Sequence, residues 1–338
     1  MNTDRYNRQT LLKDFGDKAQ KQLSSSTVAI VGIGALGSHH AETFTRMGVG
    51  KLILIDRDFV ELSNLNRQVL FTEADADEQL PKAEAAKRHL KKLNSDPQFI
   101  SHIEHLSPAN IEKILEGADL ILDGTDNFKT RYLLNDFSRK TGKPFIYAGV
   151  VGYEATCFPI LPDGPCLRCL FRDSPDPSTE PACDTAGVWP PSVSLISALS
   201  CDLALRWIIN EPPSDGWPLH TIDLASSSIT RWDVFSYVSE DCPACNGNYE
   251  YLKSEETEPV HLCGTGIYQV LGGAAEIDFE SVKKKLEHIA DISANRFLLR
   301  FETEDGESIS LFKDGRAIIR GVDSTGRAQA IYDRYIGS

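Results

Sequence analysis

A glycine-rich segment close to the amino terminus has the spacing of a phosphate-binding turn. Residues 32–37 read Gly-Ile-Gly-Ala-Leu-Gly, fit the pattern G-x-G-x-x-G, and stand between a β-branched run and a helix-forming run. In such turns the glycines allow a tight bend and a close approach to phosphate, and the following helix presents free N–H groups to an anion. The predicted nucleotide-binding residues of this turn are Gly32, Gly34, Ala35, Leu36 and Gly37. A glycine turn without a ligand is the alternative, but the flanking strand and helix favour a nucleotide site.

Polar and basic residues follow this turn at positions that suit a polyphosphate. Asp56 ends the next predicted strand, where a carboxylate can hold ribose hydroxyls. The candidate phosphate-binding and charge-neutralising residues are Arg8, Ser63, Asn64, Arg67 and Lys82. A single lysine or arginine is usually a solvated surface charge. Their grouping around one glycine turn favours triphosphate binding over the enclosure of a nicotinamide ring.

Asp126 and Asn127 follow a buried apolar strand that ends at Asp123. Ligands of open α/β sheets bind at this carboxyl edge, and Mg²⁺ prefers carboxylate oxygens and substrate phosphates as ligands. Asp126 is therefore a candidate magnesium ligand, and both residues are candidate nucleotide contacts. The competing interpretation is that Asp126 or Asn127 caps the helix that follows. The sequence leaves both interpretations open.

Two C-x-x-C pairs predict a metal site. The four cysteines are Cys166, Cys169, Cys242 and Cys245. Four thiolates complete a closed tetrahedral shell around Zn²⁺, which is typical of structural rather than catalytic zinc. A redox C-x-x-C is the alternative, but it is expected at the start of a βαβ unit, where neither pair lies.

Cys183 stands apart from these pairs in a segment rich in Pro, Asp and Thr. An exposed thiolate in a long loop could form a thioester or persulfide with a partner protein. An ordinary loop cysteine is an equally good interpretation of the sequence.

The composition limits the class of protein. The chain has 338 residues, 41% of them apolar, and a formal net charge of −14, which argues against non-specific nucleic-acid binding. No signal peptide is evident at the amino terminus, and the apolar stretch 192–209 is interrupted by Asp202 and Arg206, which argues against a membrane span. Eight cysteines without an export signal are expected to stay reduced, so a cytoplasmic location is predicted.

The candidate residues are positioned by alternating strands and helices. Strands are predicted at 27–31, 51–56, 99–104, 119–123 and 145–151, and helices at 35–47, 82–93, 111–115 and 129–140. This alternation predicts an α/β fold with a Rossmann-like, mostly parallel sheet. Further strands at 155–161 and 221–234 lack crossover helices and are expected to extend the sheet as antiparallel edge strands. Between them, a long loop (174–191) and an apolar helix (192–209) are predicted.

An acidic linker near residues 254–259 separates two predicted domains. Residues 1–253 contain all of the candidate site residues, and residues 259–338 form a smaller α+β domain. In that domain strands are predicted at 267–271, 296–302, 308–312 and 317–321, and helices at 280–289 and 328–335. Residues 313–316, Lys-Asp-Gly-Arg, suit a hairpin turn.

Taken together, these motifs resemble the MoeB/ThiF group of bacterial adenylyltransferases, relatives of ubiquitin-activating enzymes. The matching stretches are residues 5–9, 32–37, 56, 63–68, 81–82, 125–127 and 183–188 together with both cysteine pairs. They span about residues 5–250. Ile33, His39 and His40 depart from the usual small residues of the group and are interpreted as packing changes.

The resemblance implies a function. Enzymes of this group bind MgATP and the Gly-Gly C-terminus of a ubiquitin-like sulfur carrier, and they join the carrier carboxylate to AMP with release of pyrophosphate, for molybdopterin or thiamine biosynthesis. By the same resemblance Asp56 holds the ribose, while Asn64, Arg67 and Lys82 contact the phosphates. Asp126 binds Mg²⁺, and Arg8 reaches the neighbouring subunit's site, which implies a homodimer. Cys183 corresponds to a cysteine that is covalently engaged in the thiamine branch.

The resemblance also implies which partner proteins are expected and which alternative functions remain. The carboxyl-terminal domain is too short for a rhodanese domain, so a separate sulfur donor such as a cysteine desulfurase is expected. A nicotinamide-dependent dehydrogenase and a non-catalytic nucleotide-binding protein are the alternatives from outside the group. A tRNA-modifying dehydratase relative is the alternative within it.

Overall fold

The computed structural model describes residues 3–172, 186–254, 260–261, 266–270, 277–287 and 292–337. The chain divides into two compact units, Met1–Ser254 and Glu255–Ser338. Each unit contains its own sheet and its own apolar core.

The first unit is built on an eight-stranded sheet. Its strands are β1 (Thr27–Val31), β2 (Lys51–Ile55), β3 (Gln98–His102), β4 (Leu120–Asp123), β5 (Phe145–Val151), β6 (Glu154–Ile160), β7 (Pro218–Asp223) and β8 (Ser228–Asp233). The spatial order is β3-β2-β1-β4-β5-β6-β7-β8. Strands β1 to β5 are parallel, and β6, β7 and β8 are added in antiparallel pairs. The predicted α/β fold with a mostly parallel sheet and antiparallel edge strands is confirmed.

Helices connect and cover these strands. They are α1 (Thr3–Thr10), α2 (Gly16–Ser25), α3 (Ala35–Met47), α4 (Glu73–Asp77), α5 (Lys82–Leu93), α6 (Ile111–Leu115), α7 (Phe128–Thr141), α8 (Leu167–Leu170), α9 (Pro190–Ile209) and α10 (Glu250–Lys253). Leu62–Asn64 adds one 3-10 turn. Strand β1 is buried along its whole length because helices cover both faces of the parallel sheet.

The strand register brings the ends of three strands to one edge. Val31 pairs with Ile55 of β2 on one side and with Asp123 of β4 on the other. The chain turns away from β1 in opposite directions on its two sides, and this is the point at which open α/β sheets bind their ligands. The glycine turn, Asp56 and the loop after Asp123 therefore meet at one place.

The antiparallel part differs in detail from the sequence prediction. The region predicted as strand over 221–234 is a hairpin of β7 and β8, in which Ser227 has a φ of 57°. The turn residues, Leu-Ala-Ser-Ser at 224–227, contain no glycine to mark it.

Helix α9 is long enough and apolar enough to cross a membrane, judged by its length and composition. It packs against α3, β5 and β6 within the first unit, and its buried face includes Val193, Ile196 and Leu203. Its apolar composition is explained by this packing in the core.

In its described residues, the second unit contains an antiparallel sheet and two helices. Its strands are β9 (Val260–His261), β10 (Ile267–Val270), β11 (Ile292–Ala294), β12 (Leu298–Glu302), β13 (Ser308–Phe312) and β14 (Ala317–Arg320), in the spatial order β11-β12-β13-β14-β10-β9. Helices α11 (Phe279–Leu286) and α12 (Thr325–Tyr335) contribute Val282, Leu286 and Ile331 to its core. The end of the helix predicted to reach residue 289 lies outside the described residues.

Candidate functional site

The glycine turn is shaped by backbone packed against backbone. Gly32 has a φ of +83°, and a Cβ added there would lie 2.5 Å from the carbonyl oxygen of Gly124. A Cβ on Gly37 would overlap the carbonyl of Gly32. At Gly34, in contrast, the nearest atom to an added Cβ would be Gln68 Nε2 at 3.8 Å. Gly32 and Gly37 are therefore required for chain packing, while Gly34 leaves open space next to the start of α3, where an anion can approach the helix N-terminus.

Side chains contribute little to this turn. Leu36 is 5% exposed and lies in the core, so only its backbone N–H could contact a ligand, whereas Ala35 is half-buried.

Asp56 ties the glycine turn to the following strand. Its Oδ2 accepts a hydrogen bond from the N–H of Ile33 at 2.6 Å, and its Oδ1 accepts one from the N–H of Asp58 at 2.7 Å. Burial raises the pKa of Asp56, and the neighbouring Lys82 acts in the opposite direction. The carboxylate thus organises the turn, and its predicted contact with ribose would use the remaining lone pairs.

Lys82 is a buried cation surrounded by acids. It is the first residue of α5, and its Nζ lies 3.6 Å from Oδ2 of Asp58. Burial alone would lower the pKa of Lys82, but the charges of Asp58, Asp56, Asp126 and Glu61 outweigh burial and raise it. The ammonium group therefore stays protonated at neutral pH, close to Asp126.

Arg67 lies just after the 3-10 turn and forms a small cluster with Ser63 and Asn64 of that turn. The guanidinium of Arg67 donates to Asn64 Oδ1 at 2.8 Å and to the carbonyl oxygen of Ser63 at 3.1 Å. These acceptors are neutral, and none of the ion pairs found among the described residues involves Arg67. Its positive charge remains available to an anionic ligand.

The structure assigns different positions to Asp126 and Asn127. Asn127 is the N-cap of α7, and its Oδ1 accepts a hydrogen bond from the N–H of Thr130 at 2.9 Å. Asp126 is exposed and does not cap the helix. The capping interpretation thus applies to Asn127, and the carboxylate of Asp126 faces solvent beside Lys82, where it could hold Mg²⁺.

Arg131 is a buried residue that the sequence reasoning missed. Its Nε donates to Asp123 Oδ2 at 3.0 Å, and its Nη2 donates to the carbonyl oxygens of Thr125 at 2.7 Å and Ala148 at 3.2 Å. The guanidinium also lies 5.2 Å from the ring centroid of Tyr147. Arg131 therefore joins the loop that bears Asp126 to strands β4 and β5. The pairing of Asp123 with an arginine eight residues later was the available signal.

Gln68 is a second residue that was not singled out. It is 4% exposed, its Nε2 faces Gly34, and its Oε1 has no hydrogen-bond partner among the described residues. A buried amide with an unused oxygen next to the glycine turn is a polar group available to a ligand.

Arg8 is not brought to this site. It is exposed on α1, and that helix is bonded to the far ends of α3 and α5, through Met47 and Leu93. Lys82 is at the amino end of α5, and the glycine turn is at the amino end of α3. Helix α1 is bonded to the carboxyl ends of these two helices, so it lies at the opposite end of them from the site.

The four cysteines of the two C-x-x-C pairs form one cluster. Their sulfur atoms all lie within 4.8 Å of one another, with Cys166 3.4 Å from Cys242 and Cys169 3.5 Å from Cys245. A tetrahedral ion with Zn–S bonds of about 2.3 Å requires sulfur atoms about 3.8 Å apart. Cys166 and Cys242 are buried, and Cys169 and Cys245 are half-buried. The donor set and its spacing fit a structural Zn²⁺.

Helix α7 is hydrogen-bonded to the backbone next to both cysteine pairs. Asn135 Oδ1 accepts a hydrogen bond from the N–H of Leu167 at 2.7 Å, and Asp136 Oδ2 accepts one from the N–H of Tyr251 at 2.9 Å. The two cysteine-bearing segments are thus fixed to the same helix whose amino end is held by Asn127. Cys183 lies outside the described residues, and its predicted role stays a prediction.

The described geometry has a definite chemical capacity. Free N–H groups at the start of α3, the cations Arg67 and Lys82, and the carboxylate of Asp126 surround one open edge of the sheet. Such a set can bind a nucleoside triphosphate and offset the charge that accumulates during transfer at phosphorus.

Comparisons with known proteins agree with this interpretation. The chain is 35% identical over 340 residues to the sulfur carrier protein ThiS adenylyltransferase of Bacillus subtilis, covering 99% of this chain and 100% of that protein. It is 35% identical over 265 residues to the SAMP-activating enzyme E1 of Haloferax volcanii, covering 78% of this chain and 96% of that protein. The crystal structure of Escherichia coli MccB with AMPCPP and MccA matches with a TM-score of 0.62 and 26% identity, over 72% of this chain and 75% of that one.

The sequence profile of the ThiF family matches residues 6–244, a range that contains the glycine turn, Lys82 and the loop of Asp126. With a fold, a site and a full-length relative in agreement, the chain belongs to the ThiF family.

Proposed function

We propose that this protein is an ATP-dependent adenylyltransferase that activates the C-terminal carboxylate of a ubiquitin-like sulfur carrier. The observation that carries the proposal is the similarity to a sulfur carrier protein adenylyltransferase along both complete chains. The site supports it independently, because the cations Arg67 and Lys82 are grouped near the glycine turn together with the carboxylate of Asp126.

In the proposed reaction, an oxygen of the carrier carboxylate attacks the α-phosphorus of ATP. The new bond joins that oxygen to phosphorus, and the bond from the α-phosphorus to the oxygen bridging the β-phosphate breaks, so that pyrophosphate leaves. Lys82 and Arg67 offset the negative charge that shifts towards the leaving pyrophosphate. Amide N–H groups of the glycine turn and the carboxylate of Asp56 hold the nucleotide in line with the incoming tail.

Two metals complete the proposal. Asp126 would hold Mg²⁺, which supplies charge neutralisation for the phosphates when it is bound. The four cysteines would hold a structural Zn²⁺ that joins α8, whose N-cap is Cys166, to the segment before α10.

A ThiS-type carrier is the first candidate substrate. The Bacillus subtilis relative, named for ThiS, matches this chain through the residues of the second unit as well as the first. The relatives named for the uba4 and MOCS3 proteins, which are adenylyltransferases and sulfurtransferases, match 74–77% of this chain. We propose thiamine biosynthesis as the pathway, and a homodimer and a separate sulfur donor as the working assembly.

Carrier-dependent exchange of labelled pyrophosphate into ATP tests this function. Purified protein is assayed with a ThiS-type carrier, with a molybdopterin-type carrier, and with each carrier lacking its last two glycines. Exchange with an intact carrier and none with the truncated one is expected. Absence of exchange with every carrier, or saturable binding of NADH detected by its fluorescence, would overturn the proposal.

A further inference from the structure

Gln68 is a buried glutamine whose amide oxygen has nothing to bond to within the described part of the chain. The side chain is 4% exposed, and its Oε1 is sealed from solvent without a hydrogen-bond partner there. Most buried polar side-chain atoms in folded proteins have a partner, and one that lacks it costs free energy. An unbranched apolar side chain would fill the same space without that cost. The amide of Gln68 is therefore not explained by the packing of the core.

A second buried glutamine of the same unit shows the ordinary arrangement. Gln20 on α2 is also 4% exposed. Its Oε1 accepts a hydrogen bond from Gln9 Nε2, and its Nε2 donates one to the carbonyl oxygen of Met47 at 3.0 Å. Both ends of this amide are paired within the protein, so Gln20 has a structural role that Gln68 lacks.

The amide of Gln68 faces the glycine turn. Its Nε2 is the nearest atom to a Cβ added at Gly34, at 3.8 Å, and Gly34 is the N-cap of α3. The first N–H groups of a helix have no partner within the helix. The open space beside Gly34 is therefore bordered by donors, namely the start of α3 on one side and Gln68 Nε2 on the other.

The backbone around Gln68 fixes this orientation. Its N–H donates to the carbonyl oxygen of Asn64 at 3.1 Å, and its carbonyl oxygen accepts from the N–H of Phe71 at 3.3 Å. The preceding Arg67 is half-buried, and its guanidinium is bonded to Asn64 Oδ1. One short turn thus holds a cation and, on its buried side, a neutral amide.

The position of Asp56 indicates which phosphate would reach this space. Asp56 Oδ2 accepts a hydrogen bond from the N–H of Ile33, the residue before Gly34. With the ribose held at Asp56, the phosphate attached to that ribose, the α-phosphate, is the one nearest to Gly34. Phosphate oxygens only accept hydrogen bonds, and an amide N–H can donate to one without burying a second charge.

We propose that Gln68 contacts the nucleotide directly: its Nε2 donates a hydrogen bond to a non-bridging oxygen of the α-phosphate, above Gly34 and beside the first N–H groups of α3. This inference rests on the proposed adenylyltransferase function and adds a nucleotide contact to it. Because the α-phosphorus is the atom under attack, this donor lies where negative charge is redistributed during the transfer.

Nucleotide binding by two matched variants tests the contact. Gln68→Met keeps the length of the side chain and removes its amide, and Gln20→Met does the same at the paired glutamine. Affinities for ATP, AMP and adenosine are measured by titration calorimetry. We expect Gln68→Met to weaken ATP and AMP by about 10-fold to 100-fold, as for a lost hydrogen bond to a charged group, and to leave adenosine unchanged. Gln20→Met should bind all three like the wild type.

The stability of the ligand-free variants separates a ligand contact from a structural role. Gln68→Met should not lower the Tm, because its amide has no hydrogen bond to lose at Oε1, whereas Gln20→Met should lower it. Saturating ATP should then raise the Tm of the wild type by more than that of Gln68→Met. In Gln68→Glu a carboxylate oxygen replaces the donor and repels phosphate, so ATP should bind more weakly still.

The outcomes distinguish this inference from the function on which it rests. Wild-type affinity for ATP in Gln68→Met, an equal loss for ATP and adenosine, or a Tm lowered as much as in Gln20→Met would overturn the phosphate contact and leave the adenylyltransferase function in place. A wild-type protein that binds ATP but exchanges pyrophosphate with no carrier would remove the function and not the contact. A wild-type protein that binds no ATP would overturn both.

Discussion

The edge of the sheet at the glycine turn and the cysteine cluster are two polar regions of one unit, and they are built in opposite ways. At the glycine turn, the described residues bond Arg67 through neutral oxygens alone, and Asp126 is exposed. At the cysteine cluster, four sulfur atoms face one another within 4.8 Å, and hydrogen bonds from the adjoining backbone end on Asn135 and Asp136.

The difference shows how one fold can build both an open polar site and a closed one. The glycine turn has open charges on a rigid backbone support, so a ligand can enter and leave. The cysteine cluster is closed, which suits a resident ion. Helix α7 connects the two regions, since Asn127 caps its amino end and Asn135 supports the cluster from its middle.

Arg131 provides the strongest test of the rigid support at the open site. Arg131→Ala would leave Asp123 buried without its partner, and we expect a loss of about 3–5 kcal/mol in the free energy of unfolding together with lost exchange activity. Arg131→Lys keeps the charge but cannot bond to three acceptors at once, so it should retain folding and lose activity.

The control for this test is Arg139→Lys in the same helix. Arg139 bonds to the carbonyl oxygens of Leu161, Pro162 and Gly164, away from the Asp126 loop. Equal activity losses in Arg131→Lys and Arg139→Lys would contradict a specific role for Arg131.

Lys82 tests the buried positive charge at the open site. Removing the ammonium in Lys82→Ala should lower pyrophosphate exchange by about 10²–10³-fold, because a buried cation beside the phosphates cannot be replaced by water at equal strength. Lys140→Ala, at an exposed ion pair with Glu112, serves as the control and should keep its rate. A Lys82→Ala enzyme that exchanges at more than a tenth of the wild-type rate would rule out the assignment.

Cys245 tests the closed region. Cys245→Ser should reduce bound zinc, measured by elemental analysis, from one equivalent per chain, and lower the free energy of unfolding by about 2–4 kcal/mol, as for loss of a cross-link. Thermal unfolding with and without a chelator measures the effect. Wild-type protein that contains no metal after purification in zinc-supplemented medium would refute the zinc assignment.

His40, in the helix that follows the glycine turn, should give the smallest effect, a change in how stability depends on pH. It is fully buried, its Nε2 lies 2.7 Å from Ser200 Oγ on α9, and its Nδ1 has no partner among the described residues. Burial, with a smaller contribution from His39, lowers the pKa of His40 from 6.5 to about 3. Between these values the unfolded chain binds more protons than the folded one, so stability falls as pH drops below 6.5.

At pH 5 the expected loss from His40 is about 2 kcal/mol relative to pH 8, at about 1.4 kcal/mol per pH unit. Chemical unfolding of wild type and His40→Gln across this range measures it, and the variant should show a flatter dependence. His39→Gln is the neighbouring control, because that ring is only partly buried. Parallel pH curves for wild type and His40→Gln would exclude His40 as the source.

Much of the first unit could be predicted from the sequence because its signals are local. Apolar runs that end next to a glycine predicted β1 and β5, and the helix-forming run between Gly34 and Gly48 predicted α3, with the residues found in the structure. The glycine turn and the cysteine pairs were found from spacing alone, since each motif brings several of its ligands close together along the chain.

Other features depend on contacts between distant residues. The helices at Thr3–Thr10 and Gly16–Ser25 were not predicted, because the first is polar and is held by Tyr6 packing against Gly48. The choice between Asp126 and Asn127 as helix cap depended on where α7 begins, and because it begins at Phe128 the cap is Asn127. The role of Arg131 required knowledge of which carbonyl oxygens surround it.

The two cysteine pairs are 76 positions apart along the chain, and everything between them forms a closed ring when an ion is bound. That ring contains α9 and the β7–β8 hairpin, which are added to the parallel sheet from one side. Removing the ion would open the ring at the cysteine cluster. Hydrogen exchange in β7 and β8 should then speed up before that in β1 or β4. With an ion bound, the cluster would therefore hold this antiparallel side of the sheet in place, and the ion-free protein should loosen there first.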